Sequence, residues 1–189
     1  MKVEATNIPG VLLLKPRYFH DGRGYFVETY NARWAHAAGL DAEFVQDNQA
    51  LSRKRGTVRA LHFQVPPKAQ AKLVHVLRGG IYDVAVDLRA GSPNYGKWTA
   101  ATLTAQGGEQ LFVPRGFAHG YCTLEDDTEV AYKVDDYYAP ECEQGLAWND
   151  PVLGIDWPVA PADATLSDKD RGLGHFTDFA SPFRYDASR

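Results

Sequence analysis

Gly56-Thr-Val-Arg-Ala-Leu-His62-Phe-Gln64 and, about 50 residues further on, Gly108-Glu-Gln-Leu-Phe-Val-Pro114-Arg-Gly116-Phe-Ala-His119 decide how this chain is read. Each stretch opens on glycine, runs through apolar and β-branched residues, and carries a histidine. Side chains on a strand alternate between its two faces, so period two sets His62 and Gln64 on one face and Arg59 on the other. Outward from these stretches, strand signals dominate: 11–14, 25–30, 72–77, 81–88, 98–103, 110–113 and 128–134 are short and rich in β-branched or aromatic residues. Turn chemistry separates them, as at Asp21-Gly-Arg-Gly24, Pro66-Pro67, Arg78-Gly-Gly80, Gly91-Ser-Pro-Asn94 and Gln106-Gly-Gly108. Short strands spaced about 8–12 residues apart point to an all-β sandwich or barrel. Residues 31–38 read as a helix, with Asn31 as N-cap and Gly39 as stop, and 167–170 as a helical turn. One domain over 1–189 is expected, with a Pro-rich tail from about 150 to 189 wrapping the barrel.

Composition bounds the function. The chain has 189 residues, 44% of them hydrophobic, and a net charge of −4 from 20 Lys and Arg against 24 Asp and Glu. A nucleic-acid partner would need a basic face that this balance does not supply in bulk. A compact anion held by a few placed Arg and Lys remains open. Two cysteines, Cys122 and Cys142, make neither a disulfide framework nor a CxxC site. The only early apolar run is 11–14, too short for a signal peptide, and nothing approaches the ~18 apolar residues of a membrane span. A cytoplasmic protein without a membrane partner is the expectation.

The two opening stretches resemble the paired signatures of the cupin barrels. The first has glycine followed six residues later by histidine; the second has glycine, five residues, then Pro-x-Gly-x-x-His. The resemblance implies a cupin-type jelly-roll β-barrel or sandwich with a few short helices. It does not extend to the family's metal cluster of three His and one Glu. Gln64 stands at the second histidine, and the glutamate position falls at Lys68 or Ala69. An amide and a cation do not replace imidazole and carboxylate around a divalent ion, so no metal is expected.

The polar residues on the inner faces suggest other chemistry. His62 shares a face with Gln64, Lys72 heads the apolar stripe Val74 and Val76, Tyr132 sits between Val130 and Val134, and His119 follows the Pro-Arg-Gly turn. Taken singly, a buried His is most often structural, and a strand Tyr most often packs with its hydroxyl bonded. Lys72 is harder to set aside, because a buried Lys is rare without a partner. Together an imidazole, an ammonium and a phenol form a proton-transfer set. Abstraction beside a carbonyl needs a base, a positive charge on the enolate, and an acid to return the proton. If base and acid flank opposite faces of the carbon, the centre inverts. No substrate follows from this reading.

A longer set of motifs is similar to the dTDP-4-dehydrorhamnose 3,5-epimerase family. It includes Phe19-His-Asp-Gly-Arg23-Gly-Tyr-Phe26-Val-Glu28, Val45-Gln46-Asp-Asn48, Val58-Arg59-Ala-Leu-His62-Phe-Gln64, Gln70-Ala-Lys72, Pro114-Arg-Gly116-Phe-Ala-His119-Gly, Tyr132-Lys133 and Leu166-Ser-Asp-Lys169-Asp170. These run in family order from about residue 10 to 170. The resemblance implies that His62 is the general base, polarised by Asp170. It implies that Lys72 stabilises the enolate oxygen and that Tyr132 is the acid on the opposite face. Arg59 and His119 match residues at the sugar end, although strand alternation turns Arg59 away from His62 unless a bulge intervenes. Arg23, Phe26, Glu28, Gln46, Asn48, Glu143 and Lys169 match nucleotide or diphosphate contacts. The N-terminal segment, about 1–50, would cross to a partner subunit, implying a homodimer. Ala60 stands where the family usually has Gly and would add a methyl near the site.

The expected activity is therefore metal- and cofactor-independent inversion of C3 and C5 of dTDP-4-dehydro-6-deoxyglucose, on the way to dTDP-L-rhamnose. The alternatives are a single-centre epimerase on a related nucleotide ketosugar, which needs the same base, cation and acid, and a non-catalytic nucleotide-sugar-binding module. Proton exchange with solvent separates the first two from the third, and the number of protons exchanged separates one centre from two.

Overall fold

The computed structural model describes residues 1–187. Among these described residues there are thirteen strands: β1 (Lys2–Ala5), β2 (Leu12–Lys15), β3 (Tyr18–Asp21), β4 (Gly24–Val27), β5 (Gln46–Ser52), β6 (Val58–Gln64), β7 (Lys72–Arg78), β8 (Gly80–Asp87), β9 (Trp98–Thr104), β10 (Gln110–Val113), β11 (Phe117–Thr123), β12 (Thr128–Val134) and β13 (Glu143–Gly145). Two short helices, α1 (Ala32–Ala37) and α2 (Asp168–Arg171), accompany them. A six-stranded sheet runs β1-β2-β10-β7-β12-β5 and a five-stranded sheet runs β13-β6-β11-β8-β9, all antiparallel; β3 and β4 form a separate hairpin. The expected all-β sandwich is what forms.

Alternation explains the layers. Between the two sheets lie Val74, Val76, Leu111, Val113 and Val130 from one and Ile81, Ala85, Leu103 and Phe117 from the other. Each large aliphatic side chain so buried contributes roughly 1.5–3 kcal/mol. The opposite face of the five-stranded sheet buries Val58, Ala60, Val84, Val86, Ala118 and Cys122 beneath Trp148, Leu153, Trp157, Leu166 and Phe183 of the tail. Parallel bridges at Thr57–Thr165, Leu146–Gly174 and Ala90–Arg184 pin that tail along its length. It covers one sheet rather than encircling a barrel, and residues 188 and 189 lie outside the described part.

On the far side, α1 packs Ala35 onto Leu14, Leu73 and Phe112. Its N-cap is Asn31, whose side chain accepts from Arg33 N, and Gly39 follows with φ +81°, both as the sequence suggests. Ser167 caps α2 in the same way by accepting from Asp170 N. The expected strand at 25–30 is shorter, because pairing with β3 ends at Val27. The chain then turns towards Asn31, whose amide donates to Glu28 at 3.3 Å.

Two places depart from simple alternation. Gly116 turns the chain from β10 into β11 at φ +89°, where a Cβ would lie 2.7 Å from Arg89 Cγ. In β6, His62 pairs with His119 but Arg59 pairs with Tyr121. Three residues of β6 thus span two of β11, which is a β-bulge. Consecutive residues Ala60 and Leu61 both point into the tail-side core as a result.

Candidate active site

The bulge resets the phase of β6, so Arg59 and His62 face the same way. Together with Gln64 they line a pocket of about 420 Å³ between the sheets, shared with Gln46, Asn48, Lys72, His119, Tyr121, Tyr132, Tyr138, Glu143, Lys169 and Asp170. The strict period that put Arg59 on the other face is therefore overturned by one extra residue. Ala60 is fully buried on the tail side, against Gly120, and does not line the pocket. The expectation that its methyl sits near the site is corrected. A Cβ at position 120 would lie 2.8 Å from Ala60 Cα and 2.9 Å from Arg59 O, so Gly120 is what gives the methyl room.

Two histidine–carboxylate pairs occupy the five-stranded wall. His62 Nε2 lies 2.6 Å from Asp170 Oδ1, and His119 Nε2 lies 2.6 Å from Asp83 Oδ1. A carboxylate only accepts, so in each pair Nε2 carries the proton and Nδ1 keeps the free lone pair. The His62 side chain is 28% exposed, whereas that of His119 is 8% exposed and Asp83 is fully enclosed. Burial lowers the His119 pKa against the pull of Asp83, favouring the neutral ring.

Lys72 and Tyr132 come from the facing sheet. Lys72 Nζ donates to His62 O at 3.2 Å, and burial pushes its pKa down to about 8 against Asp83 and Glu143. Burial also raises the Tyr132 pKa, with Arg59 opposing, so the phenol is held as an acid. Gln46, Asn48 and Ala50 alternate inward along β5, with Gln46 Nε2 donating to Asn48 Oδ1 at 2.8 Å. Arg59 donates to Ser52 Oγ and to Leu51 O, each at 3.2 Å. At the rim, Glu143 accepts from Lys169 at 2.6 Å and from the Tyr138 hydroxyl at 2.7 Å. Burial alone would raise the Glu143 pKa, but these two bonds bring it below its usual value.

Gln64 is occupied otherwise. Its amide donates to Lys68 O and Tyr137 O and accepts from Ala139 N, bracing the loop that follows β6 and the segment that precedes β13.

A family model described as dTDP-4-dehydrorhamnose 3,5-epimerase matches residues 5–178. The chain belongs to the dTDP-4-dehydrorhamnose 3,5-epimerase family. Such a protein from Sinorhizobium fredii is 46% identical over 98% of this chain and 94% of its own length. The structure of a Legionella pneumophila dTDP-6-deoxy-D-glucose-3,5-epimerase in complex with dTDP-4-keto-L-rhamnose matches with TM-score 0.92 and 38% identity, covering 98% of this chain and 99% of that one. A 3'-monoepimerase from Streptomyces bikiniensis in complex with dTDP-quinovose matches with TM-score 0.81 and 33% identity, over 89% and 85% of the two chains. The fold and the family readings of the sequence are thus met, and the chain is an epimerase, an isomerase by reaction class.

Of the epimerase residues singled out from sequence, His62, Asp170, Lys72, Tyr132, Arg59, His119, Gln46, Asn48, Glu143 and Lys169 converge on one pocket. Arg23, Phe26 and Glu28 do not join it. Arg23 is 91% exposed and bonded to Asp21, and Phe26 is 69% exposed on the hairpin. Tyr121, Tyr138 and Gln70 line the pocket without having been singled out. Period two from His119 would have found Tyr121, since Phe117, His119 and Tyr121 share a face of β11.

Proposed function

We propose that the chain inverts C3 and C5 of dTDP-4-dehydro-6-deoxyglucose, supplying the dTDP-L-rhamnose precursor, with His62 as base, Lys72 as enolate cation and Tyr132 as acid. The observation that carries this reading is the His62–Asp170 pair on one wall of a pocket whose other wall holds Lys72 and Tyr132. Nδ1 of His62 takes the proton from the carbon beside the C4 ketone, and the electron pair moves onto the ketone oxygen. Asp170 holds the imidazolium that results. The Lys72 ammonium stabilises the enolate, which collapses as Tyr132 delivers a proton to the opposite face of the same carbon. Solvent restores both groups, and the cycle repeats at the second carbon. No redox change occurs, and no step draws on a metal or cofactor.

Arg59 and His119 hold the sugar, while Gln46, Asn48, Glu143 and Lys169 meet the nucleotide and diphosphate. Arg23, Phe26 and Glu28 serve the pocket of a second copy. An isolated two-stranded hairpin is marginally stable by itself, and exposed Phe19, Tyr25 and Phe26 on β3 and β4 suit a homodimer in which the hairpin crosses over. The residues up to about 50 belong with that crossing segment. Light scattering on the eluting protein then gives twice the chain mass. Among the described residues no helix is long and apolar enough to cross a membrane, and the reading places the enzyme in the cytoplasm.

Mass spectrometry of the substrate incubated with the protein in heavy water tests the function. Two deuterons gained per sugar are expected. One deuteron moves the assignment to a single-centre epimerase, and none rejects catalysis on this sugar.

A further inference from the structure

Among the described residues, three buried side-chain polar atoms have no hydrogen-bond partner: Asp83 Oδ2, Gln110 Oε1 and the Tyr121 hydroxyl. Gln110 belongs to the outer face of the six-stranded sheet, where its Nε2 donates to Thr29 O. Tyr121 lines the pocket and is only 4% exposed. Its backbone pairs with Arg59 on one side and Asp83 on the other, and its ring centroid is 6.4 Å from that of His119. We infer that Tyr121 is a further substrate-contacting residue, whose hydroxyl donates a hydrogen bond to an oxygen of the bound ketosugar and fixes how the ring sits between His62 and Tyr132. The inference rests on the site reading given above.

A buried hydroxyl with nothing to bond is unfavourable, and a phenylalanine would fill the same space without the penalty. A sugar oxygen arriving in the pocket removes that penalty, so the contact exists only in the complex. Ser52, whose hydroxyl lies close enough to weigh on the phenol's acidity, already accepts from Arg59 Nε at 3.2 Å, and no bond of hydrogen-bonding geometry joins it to the phenol. Burial pushes the Tyr121 pKa up to about 12, against Arg59. The group therefore stays a neutral donor, suited to an uncharged hydroxyl or ketone oxygen. One base and one acid must serve two carbons of the same ring, so a bond at the pocket wall sets which carbon each group reaches.

The test is Tyr121→Phe in the full chain, with kcat, KM, melting temperature and deuterium gain at C3 and C5 each measured. The expected result is a fall in kcat/KM of about tenfold, a changed ratio of deuterium at the two carbons, and a melting temperature equal to or above that of the unaltered protein. A kcat/KM within twofold and an unchanged ratio overturn the inference. So does a melting temperature lowered by several degrees, because the hydroxyl would then be satisfied inside the protein. His62→Ala and Tyr132→Phe are assayed alongside. If those two remain active, the site reading itself has failed; if they are inactive while Tyr121→Phe is unchanged, only the role of Tyr121 is lost.

Discussion

His62–Asp170 and His119–Asp83 share one N–O distance, 2.6 Å, on neighbouring strands of one sheet, yet they are built for different work. Asp83 sits on the strand beside His119, and both are enclosed. Asp170 arrives from the tail, 108 residues beyond His62, and leaves the imidazole partly open. A ring with a carboxylate behind it and an open face in front can gain and release a proton each turnover. A ring sealed with its carboxylate stays neutral, with its N–H committed to Asp83 and Nδ1 left as a fixed acceptor. Hydrogen-bond geometry alone would not distinguish the two; burial does.

Substitutions can break that contrast. His62→Ala should lower kcat about 10³-fold and lower the melting temperature less than His119→Ala does, since the ring removed is partly exposed, as a steady-state assay beside a thermal melt would show. His119→Ala should do the reverse in emphasis: it removes a hydrogen bond from the buried Asp83 carboxylate and costs about 3 kcal/mol of stability, read by urea unfolding. Asp170→Asn keeps the shape of the dyad but cannot balance an imidazolium, so kcat should fall about 10²-fold while KM changes little.

Acidity sharpens it further. Burial holds the Lys72 pKa near 8, so if its ammonium carries the proposed role, kcat/KM should decline as pH rises through about 8. Lys72→Arg should retain less activity but lack that limb, because a guanidinium stays charged. The smallest effect concerns stability. Folded His119 resists a proton that the unfolded chain accepts at its ordinary value, so its contribution is present above about pH 6.5 and is lost as pH falls below it. Melting temperature should drop by a few degrees between pH 7.5 and 5.5, and by less in His119→Gln.

Much of this arrangement is written in local pattern. Period two places Lys72 with Val74 and Val76, Tyr132 with Val130 and Val134, and His62 with Gln64, and the structure keeps all three alignments. Arg59 escapes that rule because the bulge at 60–61 lies in the register between β6 and β11, which a single strand cannot announce. Asp170 escapes it because its partner is fixed by the path of the tail. Gln46–Ser52 carries no apolar alternation since its inward residues Gln46 and Asn48 are polar and line the pocket, so it does not read as a strand. The resemblance to the family supplies Arg59 and Asp170 where pattern is silent. Neither source picks out the unpartnered hydroxyl of Tyr121, which depends on what every neighbour is already bonded to.

The late arrival of Asp170 also orders events during synthesis. His62, Lys72, His119 and Tyr132 leave the ribosome before Ser167–Arg171, so both walls of the pocket can assemble while the base still has no carboxylate behind it. Until the tail docks along the five-stranded sheet, a nascent chain with a nearly complete sandwich has no carboxylate for His62 Nε2 to bond. The His62–Asp170 contact and closure of the last core layer therefore come in a single step.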